Sequence, residues 1–256
     1  MNILILTQED ALYIPTMIDH ILVNIDTVIG VGILPGEMRQ GNLRRYWDMM
    51  GPRDFTVVCG ILIWHKVMDI VSHAVPTRRS YSVRQAARRA GVPVETVPKV
   101  NNRDYVASVK DRNVDLIVSI ACPQILRKRL LAVPKHGAIN IHGGLLPRYQ
   151  GLLPSFWVLA KGEKETGVTI HYVDEKIDHG EILAQQKIEI RDDDTVHSLV
   201  HRSKIGVGKH LMVEVIRNIE TGRAEATQMD HNANTYFSYP DAEAIQEFRS
   251  RKRRFI

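Results

Sequence analysis

The stretch Asn140-Ile-His-Gly-Gly-Leu-Leu-Pro147 decides how the rest of the chain is interpreted. It begins as a short apolar strand and runs directly into a loop with two glycines and a proline. Successive side chains of a strand alternate between its two faces, so Asn140 and His142, two residues apart, point the same way. The stretch therefore predicts a strand end that presents an amide and an imidazole side by side.

A second stretch adds a carboxylate to this pair. Thr166-Gly-Val-Thr-Ile-His-Tyr-Val-Asp-Glu-Lys-Ile-Asp-His-Gly180 predicts another strand, followed by a loop that presents Asp178. An amide, an imidazole and a carboxylate at the strand ends and loops of an α/β protein form a candidate acyl-transfer site. Taken singly, each has an ordinary explanation: Asn140 as a strand-end cap, His142 as a structural histidine and Asp178 as a turn residue.

Together these motifs resemble the signature of the folate-dependent formyltransferases. That superfamily includes glycinamide ribonucleotide formyltransferase, methionyl-tRNA formyltransferase and amino-sugar N-formyltransferases. Its members carry Asn-x-His-x-Ser-Leu-Leu-Pro, Gly-Glu-x-x-Thr-Gly-Val-Thr and Asp-x-Gly in this order. The matching positions are Asn140, His142, Gly162-Glu163, Thr166-Gly-Val-Thr169 and Asp178-x-Gly180, and the match is strong over residues 115–189. One departure is Gly144, which stands where the family usually has serine, so the serine's hydroxyl contact is missing.

The resemblance implies an N-formyltransferase that uses 10-formyltetrahydrofolate as co-substrate and needs no metal. Asn140 and His142 would donate hydrogen bonds to the developing oxyanion. Asp178 would orient His142, raise its pKa and relay protons. In relatives the pterin is read mostly by backbone groups of two loops. The corresponding folate-binding candidates here are Cys122, Pro123, Gln124, Ile125, Leu126, Asp174 and Ile177.

The order of predicted elements indicates the fold class. Short apolar runs begin near residues 2, 27, 92, 115 and 137, and helical patterns separate most of them. This alternation predicts an α/β fold with a doubly wound, mostly parallel, Rossmann-like sheet. We expect residues 1–193 to form the catalytic domain and residues 194–256 a small, mainly helical C-terminal extension. In such sheets ligands bind beyond the carboxyl ends of the strands, where Asn140 and His142 are expected.

Three segments carry more specific expectations. Residues 37–75 are predicted to be largely helical, and the apolar run over residues 55–64 to be a buried helix, with an interfacial membrane contact as the alternative. This run is too short to span a bilayer. Residues 123–131 are predicted as a helix, and residues 224–239 as a short terminal pair of strands.

Bulk properties narrow the function classes. The net charge of +5 and pI of about 9.2 favour anionic ligands, such as a folate glutamate tail or a nucleotide phosphate, and also suit RNA. Two scattered cysteines and a start without a basic signal region favour a cytoplasmic protein. His197 and His201 have metal-ligand spacing on a helix, but no third ligand accompanies them, so we expect no metal site.

The acceptor amine is predicted by elimination. No glycine-rich phosphate loop follows the first strand, which argues against glycinamide ribonucleotide. About sixty residues follow Asp194, which leaves little room for the C-terminal β-domain of methionyl-tRNA enzymes. A nucleotide-linked amino sugar is therefore the leading acceptor. Methionyl-tRNA, another small amine and hydrolysis of formyltetrahydrofolate stay open, as does a homodimer.

Overall fold

A seven-stranded sheet forms the centre of the computed structural model, which describes residues 1–36 and 43–256. Strands β1 to β5 run parallel, and β7 and β8 continue the sheet antiparallel, in the order β3-β2-β1-β4-β5-β7-β8. The strands are β1 Ile3–Gln8, β2 Val28–Leu34, β3 Val94–Thr96, β4 Leu116–Ile120, β5 Ala138–His142, β6 Gln150–Gly151, β7 Glu165–Tyr172, β8 Ile182–Glu189 and β9 Tyr236–Phe237. This confirms the predicted doubly wound, mostly parallel α/β fold.

Helices connect the strands and cover both faces of the sheet. They are α1 Ile14–Asn24, α2 Leu43–Met50, α3 Pro52–Val71, α4 Val83–Arg89, α5 Arg103–Asp111, α6 Lys128–Leu131, α7 Pro154–Lys161, α8 Val196–Val200, α9 Lys209–Glu220 and α10 Ala242–Ser250. A π-helical segment, His201–Gly208, joins α8 to α9, and a 3-10 turn covers His231–Ala233.

The alternation of β1 side chains divides the core into two layers. Ile3 and Ile5 pack with α1, α4 and α9, whereas Leu4 and Leu6 pack with α5 and α6 on the opposite face. A third cluster joins α7, α10 and the last residues, with Phe156 stacked on Phe248 at a ring-centroid distance of 4.7 Å. The carboxyl ends of β1, β4 and β5 meet at one edge, where the predicted site lies.

The segment over residues 37–75 is only partly as predicted. Residues 43–50 and 52–71 are helical, and the first six residues of the segment lie outside the described residues. The prediction that residues 55–64 form a buried helix is wrong, because Ile63 and Trp64 are 65% and 56% exposed. The inner face of α3 is held by polar contacts: Asp54 accepts from the backbone N–H of Phe255, and Asp69 accepts from the Ser82 hydroxyl.

Two further predictions are corrected. The helix predicted over residues 123–131 shrinks to Lys128–Leu131, because Gln124 ties the preceding loop to the Val100 N–H and the Pro98 carbonyl. The predicted terminal strand pair does not form: β9 pairs with β6 instead, and Thr227 bridges to Ile182. Both departures come from contacts with residues that are distant in the chain.

The division at residue 193 stays a prediction, and the packing bears on it. Asp194 lies just before the N-cap residue of α8, Thr195, and its carboxylate accepts from the Arg191 N–H and the Ser198 hydroxyl. Met212, Ile216 and Ile219 of α9 are buried in the same core as β1. Much of the predicted extension therefore covers the sheet directly.

Candidate active site

Three neighbouring strands place a row of polar side chains at the centre of the site. Ser119 of β4 pairs with Asn140 of β5, which pairs with His171 of β7. The Ser119 hydroxyl donates to Asn140 Oδ1 at 2.9 Å, and Asn140 Nδ2 lies 3.2 Å from His171 Nε2. Directly opposed residues of adjacent strands are close neighbours, so the strand register brings these three side chains together. Their contacts then orient the Asn140 amide.

The tautomer of His171 follows from its second contact. His171 Nδ1 lies 2.7 Å from the Tyr172 carbonyl oxygen, which can only accept a hydrogen bond. Nδ1 therefore donates to that carbonyl, and Nε2 lies between Asn140 Nδ2 at 3.2 Å and Asp178 Oδ1 at 3.5 Å. The remaining N–H of the Asn140 amide is left available to the site.

His142 lies two residues after Asn140 on β5, and both of its ring nitrogens make polar contacts. Its Nδ1 is 3.3 Å from Asp178 Oδ2, its Nε2 is 2.7 Å from the Tyr149 carbonyl oxygen, and the residue is 5% exposed. Both neighbours are acceptors, so the imidazolium form satisfies both contacts. Burial lowers the pKa of His142, and the Asp178 carboxylate opposes that shift. Burial outweighs the carboxylate, so the pKa of His142 lies below its ordinary value rather than above it, as the sequence had led us to expect.

Asp178 is fixed by its surroundings. Its backbone has φ = 49°, its Oδ2 accepts from the Gly151 N–H at 2.9 Å, and its carbonyl accepts from the Gln150 amide. Burial raises the pKa of Asp178, but His142, His171 and the Gly151 N–H together outweigh burial and hold the pKa below its usual range. The carboxylate is therefore ionised at neutral pH.

Two glycines are required for this geometry. At Gly180, a Cβ atom would lie 2.0 Å from the Tyr172 carbonyl oxygen, so the loop after Asp178 closes only on glycine. At Gly144, a Cβ atom would lie 3.1 Å from His142 Nε2 and 3.3 Å from Pro154 Cβ. Gly144 thus leaves His142 the room in which it bonds to the Tyr149 carbonyl.

A second row of side chains holds the loop of residues 143–147. Thr169 of β7 faces His142, and Gln185 of β8 faces Thr169. The Thr169 hydroxyl donates to the Gly144 carbonyl at 2.7 Å, and the Gln185 amide donates to the Leu146 carbonyl at 2.9 Å. The two side chains pin the loop onto the end of the sheet.

Lys204 brings an amino group to the same edge. It lies in the π-helical segment, an irregularity that is frequent at functional sites. A Cβ atom added at Gly143 would lie 3.0 Å from Lys204 Cε, so the aliphatic part of the Lys204 side chain runs along the glycine loop. Burial lowers the pKa of Lys204, while Asp10 and Asp178 oppose this.

The two predicted folate loops lie next to each other. The Lys128 N–H, just after the first loop, donates to Glu175 of the second at 3.2 Å. Ile125 and Ile177, one on each loop, are 52% and 41% exposed, whereas Leu126 is 2% exposed in the core. Asp174 pairs with His179 at 2.7 Å.

Cys122 Sγ donates to the Gln124 carbonyl, and burial raises the pKa of this thiol to about 11, which disfavours a thiolate nucleophile.

Several residues of the site escape the sequence reasoning. His171 faces the pocket beside Asn140. Ser119, Gln150 and Gln185 carry no local signal, because their contacts depend on strand register and on loops brought together by folding. Lys204 could have been found only by knowing which turn of its helix faces β5.

Within the part of the chain that the structure describes, no three His, Cys, Asp or Glu side chains are grouped to hold a metal ion. His197 instead places Nδ1 2.7 Å from the Tyr13 hydroxyl. In the same described residues, no helix is both long and apolar enough to cross a membrane.

The comparison with known proteins identifies the family. A family model described as "Formyl transferase" matches residues 69–216, more than half of the chain. The α/β fold and this match define the class, and the chain belongs to the formyl transferase family. Methionyl-tRNA formyltransferase from Anaeromyxobacter sp. (strain K) is 40% identical over 172 residues, which cover 65% of this chain and 55% of that protein. The chain spans about half the length of the curated relatives it matches.

Solved structures share the fold. An N-formyltransferase from Helicobacter canadensis, in complex with folinic acid and dTDP-3-aminofucose, has a TM-score of 0.62 at 18% identity, covering 100% of this chain and 81% of that chain. Glycinamide ribonucleotide transformylase 1 from Symbiobacterium toebii has a TM-score of 0.63 at 20% identity, covering 90% of this chain and 94% of that chain. At such identities the likeness concerns the fold.

Proposed function

We propose that this protein transfers a formyl group from 10-formyltetrahydrofolate to a primary amine. The observation that carries the proposal is the contact between His142 and Asp178 beside Asn140, at the carboxyl edge of a sheet in a formyl transferase domain. All three side chains are positioned by contacts that leave polar groups directed toward one edge.

The proposed roles follow from which atoms are engaged. The free Asn140 N–H is directed at the developing negative charge on the formyl oxygen. His142 donates to the same oxygen from Nε2, which then gives up its contact with the Tyr149 carbonyl. The contact between His142 Nδ1 and Asp178 stays in place. One such preorganised donor contributes about 2.7–4 kcal/mol of transition-state stabilisation. Asp178, ionised in the folded protein, accepts the proton of the attacking amine directly or through a water molecule.

The two adjacent loops fit a folate. When bound, 10-formyltetrahydrofolate supplies the formyl carbon and takes up a proton on its leaving nitrogen. Ile125 and Ile177 offer apolar surface for a planar ring from opposite loops. In this proposal, backbone groups beside Cys122, Pro123, Gln124 and Asp174 bind the polar edges of the pterin, and Leu126 contributes only main-chain atoms because its side chain is in the core.

A nucleotide-linked amino sugar is the proposed acceptor. The net charge of +5 suits a diphosphate, and Lys204 adds an amino group at the edge of the site. The structure from Helicobacter canadensis holds such a sugar nucleotide in the same fold. Methionyl-tRNA is the second candidate, since a relative that is 40% identical carries the name methionyl-tRNA formyltransferase.

The test is release of tetrahydrofolate from 10-formyltetrahydrofolate with purified protein. Nucleotide 3-amino and 4-amino sugars, methionyl-tRNA and a no-acceptor sample are compared in parallel. We expect release that requires an amino sugar and falls at least 100-fold in His142→Ala, with His210→Ala as the control because that histidine is exposed and lies on α9. If only methionyl-tRNA supports tetrahydrofolate release, methionyl-tRNA is the acceptor instead of an amino sugar. Release without any amine would indicate hydrolysis of 10-formyltetrahydrofolate. Full activity of His142→Ala would refute the proposed site.

A further inference from the structure

Helix α3 carries an apolar face that the described part of one copy of the chain leaves uncovered. Of the fourteen large hydrophobic residues exposed in the described chain, nine lie between residues 43 and 75. Seven of these lie on α3 or just after it, at exposures between 39% and 65%: Val57, Ile63, Trp64, Val67, Ile70, Val71 and Val75. A helix that is apolar around its circumference is normally buried on all sides.

The spacing on this face is that of a helix-pairing seam. The exposed residues Val57, Gly60, Trp64, Val67 and Val71 follow one another at intervals of three, four, three and four. Apolar positions that alternate in this way form a stripe along which two helices pack as knobs into holes. The opposite face of α3 is already docked through Asp54 and Asp69, so the stripe points away from the sheet.

We propose that this stripe, the α3 face, pairs with the α3 face of a second copy of this chain, antiparallel about a two-fold axis. A Cβ placed at Gly60 would touch nothing within 4 Å, so Gly60 is an open notch one turn from the large Trp64 side chain. In a two-fold interface each residue of a contact pair occurs on both sides. An antiparallel pairing therefore inserts Trp64 of each copy into the Gly60 notch of the other.

Charge and area agree with this pairing. With Gly60 opposite Trp64, Arg53 of one copy comes opposite Val71, the last residue of α3 in the other copy. A cation is favourable there, because the carboxyl end of a helix carries partial negative charge. A fully covered tryptophan buries about 150–250 Å², so the half-exposed Trp64 with its six aliphatic neighbours presents on the order of several hundred Å². That approaches the roughly 800 Å² per partner of a stable interface.

The first experiment measures the mass of the full chain by sedimentation velocity across a dilution series. We expect a dimer at about 50 µM, a concentration that micromolar affinity would populate. Val67→Glu is expected to raise the dimer dissociation constant at least 100-fold, with an unchanged far-ultraviolet circular dichroism spectrum. Val23→Glu is the matched control, since Val23 is 81% exposed on α1 and lies outside the α3 face.

A swap of the two contact residues tests the pairing itself. Gly60→Trp alone fills the notch and is expected to weaken the dimer, whereas Gly60→Trp combined with Trp64→Gly restores it, because the small and large partners merely exchange positions. A monomeric wild-type chain at 50 µM, a dimer insensitive to Val67→Glu, or a swap that fails to rescue would overturn the proposal. So would a monomer that binds vesicles of anionic lipid through Trp64, because the face would then meet a membrane.

Discussion

At the residue scale, the chemistry depends on the balance around His142. Burial lowers its pKa, while one carboxylate and one carbonyl favour the protonated ring. We predict that Asp178→Asn lowers the pKa of His142 further and cuts kcat/KM by about 10²–10⁴-fold. The pH profile of kcat/KM checks this: its alkaline limb, where the imidazolium is lost, should move to lower pH. An unchanged limb with unchanged activity would separate Asp178 from the function of His142.

The depressed pKa of Asp178 also has a consequence for stability. Because its folded-state pKa lies below the unfolded value, the ionised carboxylate stabilises the fold at pH values above the unfolded pKa. That contribution is lost as the pH falls from about 4 toward the folded pKa. Urea unfolding between pH 7 and pH 3 should therefore show a smaller loss of stability for Asp178→Asn than for the wild type. A parallel loss in both proteins would contradict the assignment.

Gly144 offers a test of the room around His142. We predict that Gly144→Ser, which introduces the residue common in the family, lowers kcat several-fold without a large change in thermal stability. The added Cβ would crowd the His142 ring, which is held by Asp178 and the Tyr149 carbonyl and has little freedom to yield. Ala226→Ser is the control, since Ala226 is exposed in the loop after α9. Increased activity of Gly144→Ser would show that the ring can shift and that the hydroxyl contributes a contact.

At the element scale, α3 is anchored mainly by its polar inner face. Asp54 is 6% exposed and accepts from the backbone N–H groups of Phe255 and Ile256 at 2.8 and 3.4 Å. We predict that Asp54→Ala destabilises the protein by about 1–3 kcal/mol, because buried N–H groups lose their acceptor. Urea unfolding measures this, with the 61%-exposed Asp48 of α2 changed to alanine as the control. Equal stability of the two variants would mean that α3 is held by other contacts.

The sequence largely predicts which segments form strands and helices, but it does not predict which distant residues contact them. The strands near residues 3, 28, 116 and 138 are marked by short apolar runs. The segment after Pro123 has the composition of a helix. However, the Gln124 side chain hydrogen-bonds to the loop between β3 and α5, which is distant in the sequence. Such contacts have no local signature, so the helix was predicted too long.

At the scale of the whole molecule, the C-terminal residues complete the core. Phe248 and Phe255 stack on Phe156 of α7, and Ile216 of α9 packs on the sheet. We predict that a chain ending at residue 193 shows no cooperative unfolding transition, because its sheet would expose the surface that α9 covers. Thermal unfolding of this shortened chain checks the point. Within the full chain, Phe255→Ala should cost about 3–5 kcal/mol. Cooperative unfolding of residues 1–193 would instead support a self-sufficient catalytic domain.

The sequence by itself determined the fold class, the family and the three residues placed at the site, because strand parity and motif spacing are local properties of the chain. Asn140 and His142 share a face whatever surrounds them. Only the tertiary structure decided that His171 supports Asn140, that Lys204 borders the glycine loop and that α3 is exposed. Each of these depends on which elements become neighbours, and strand register and helix docking are set by the packing of the whole chain.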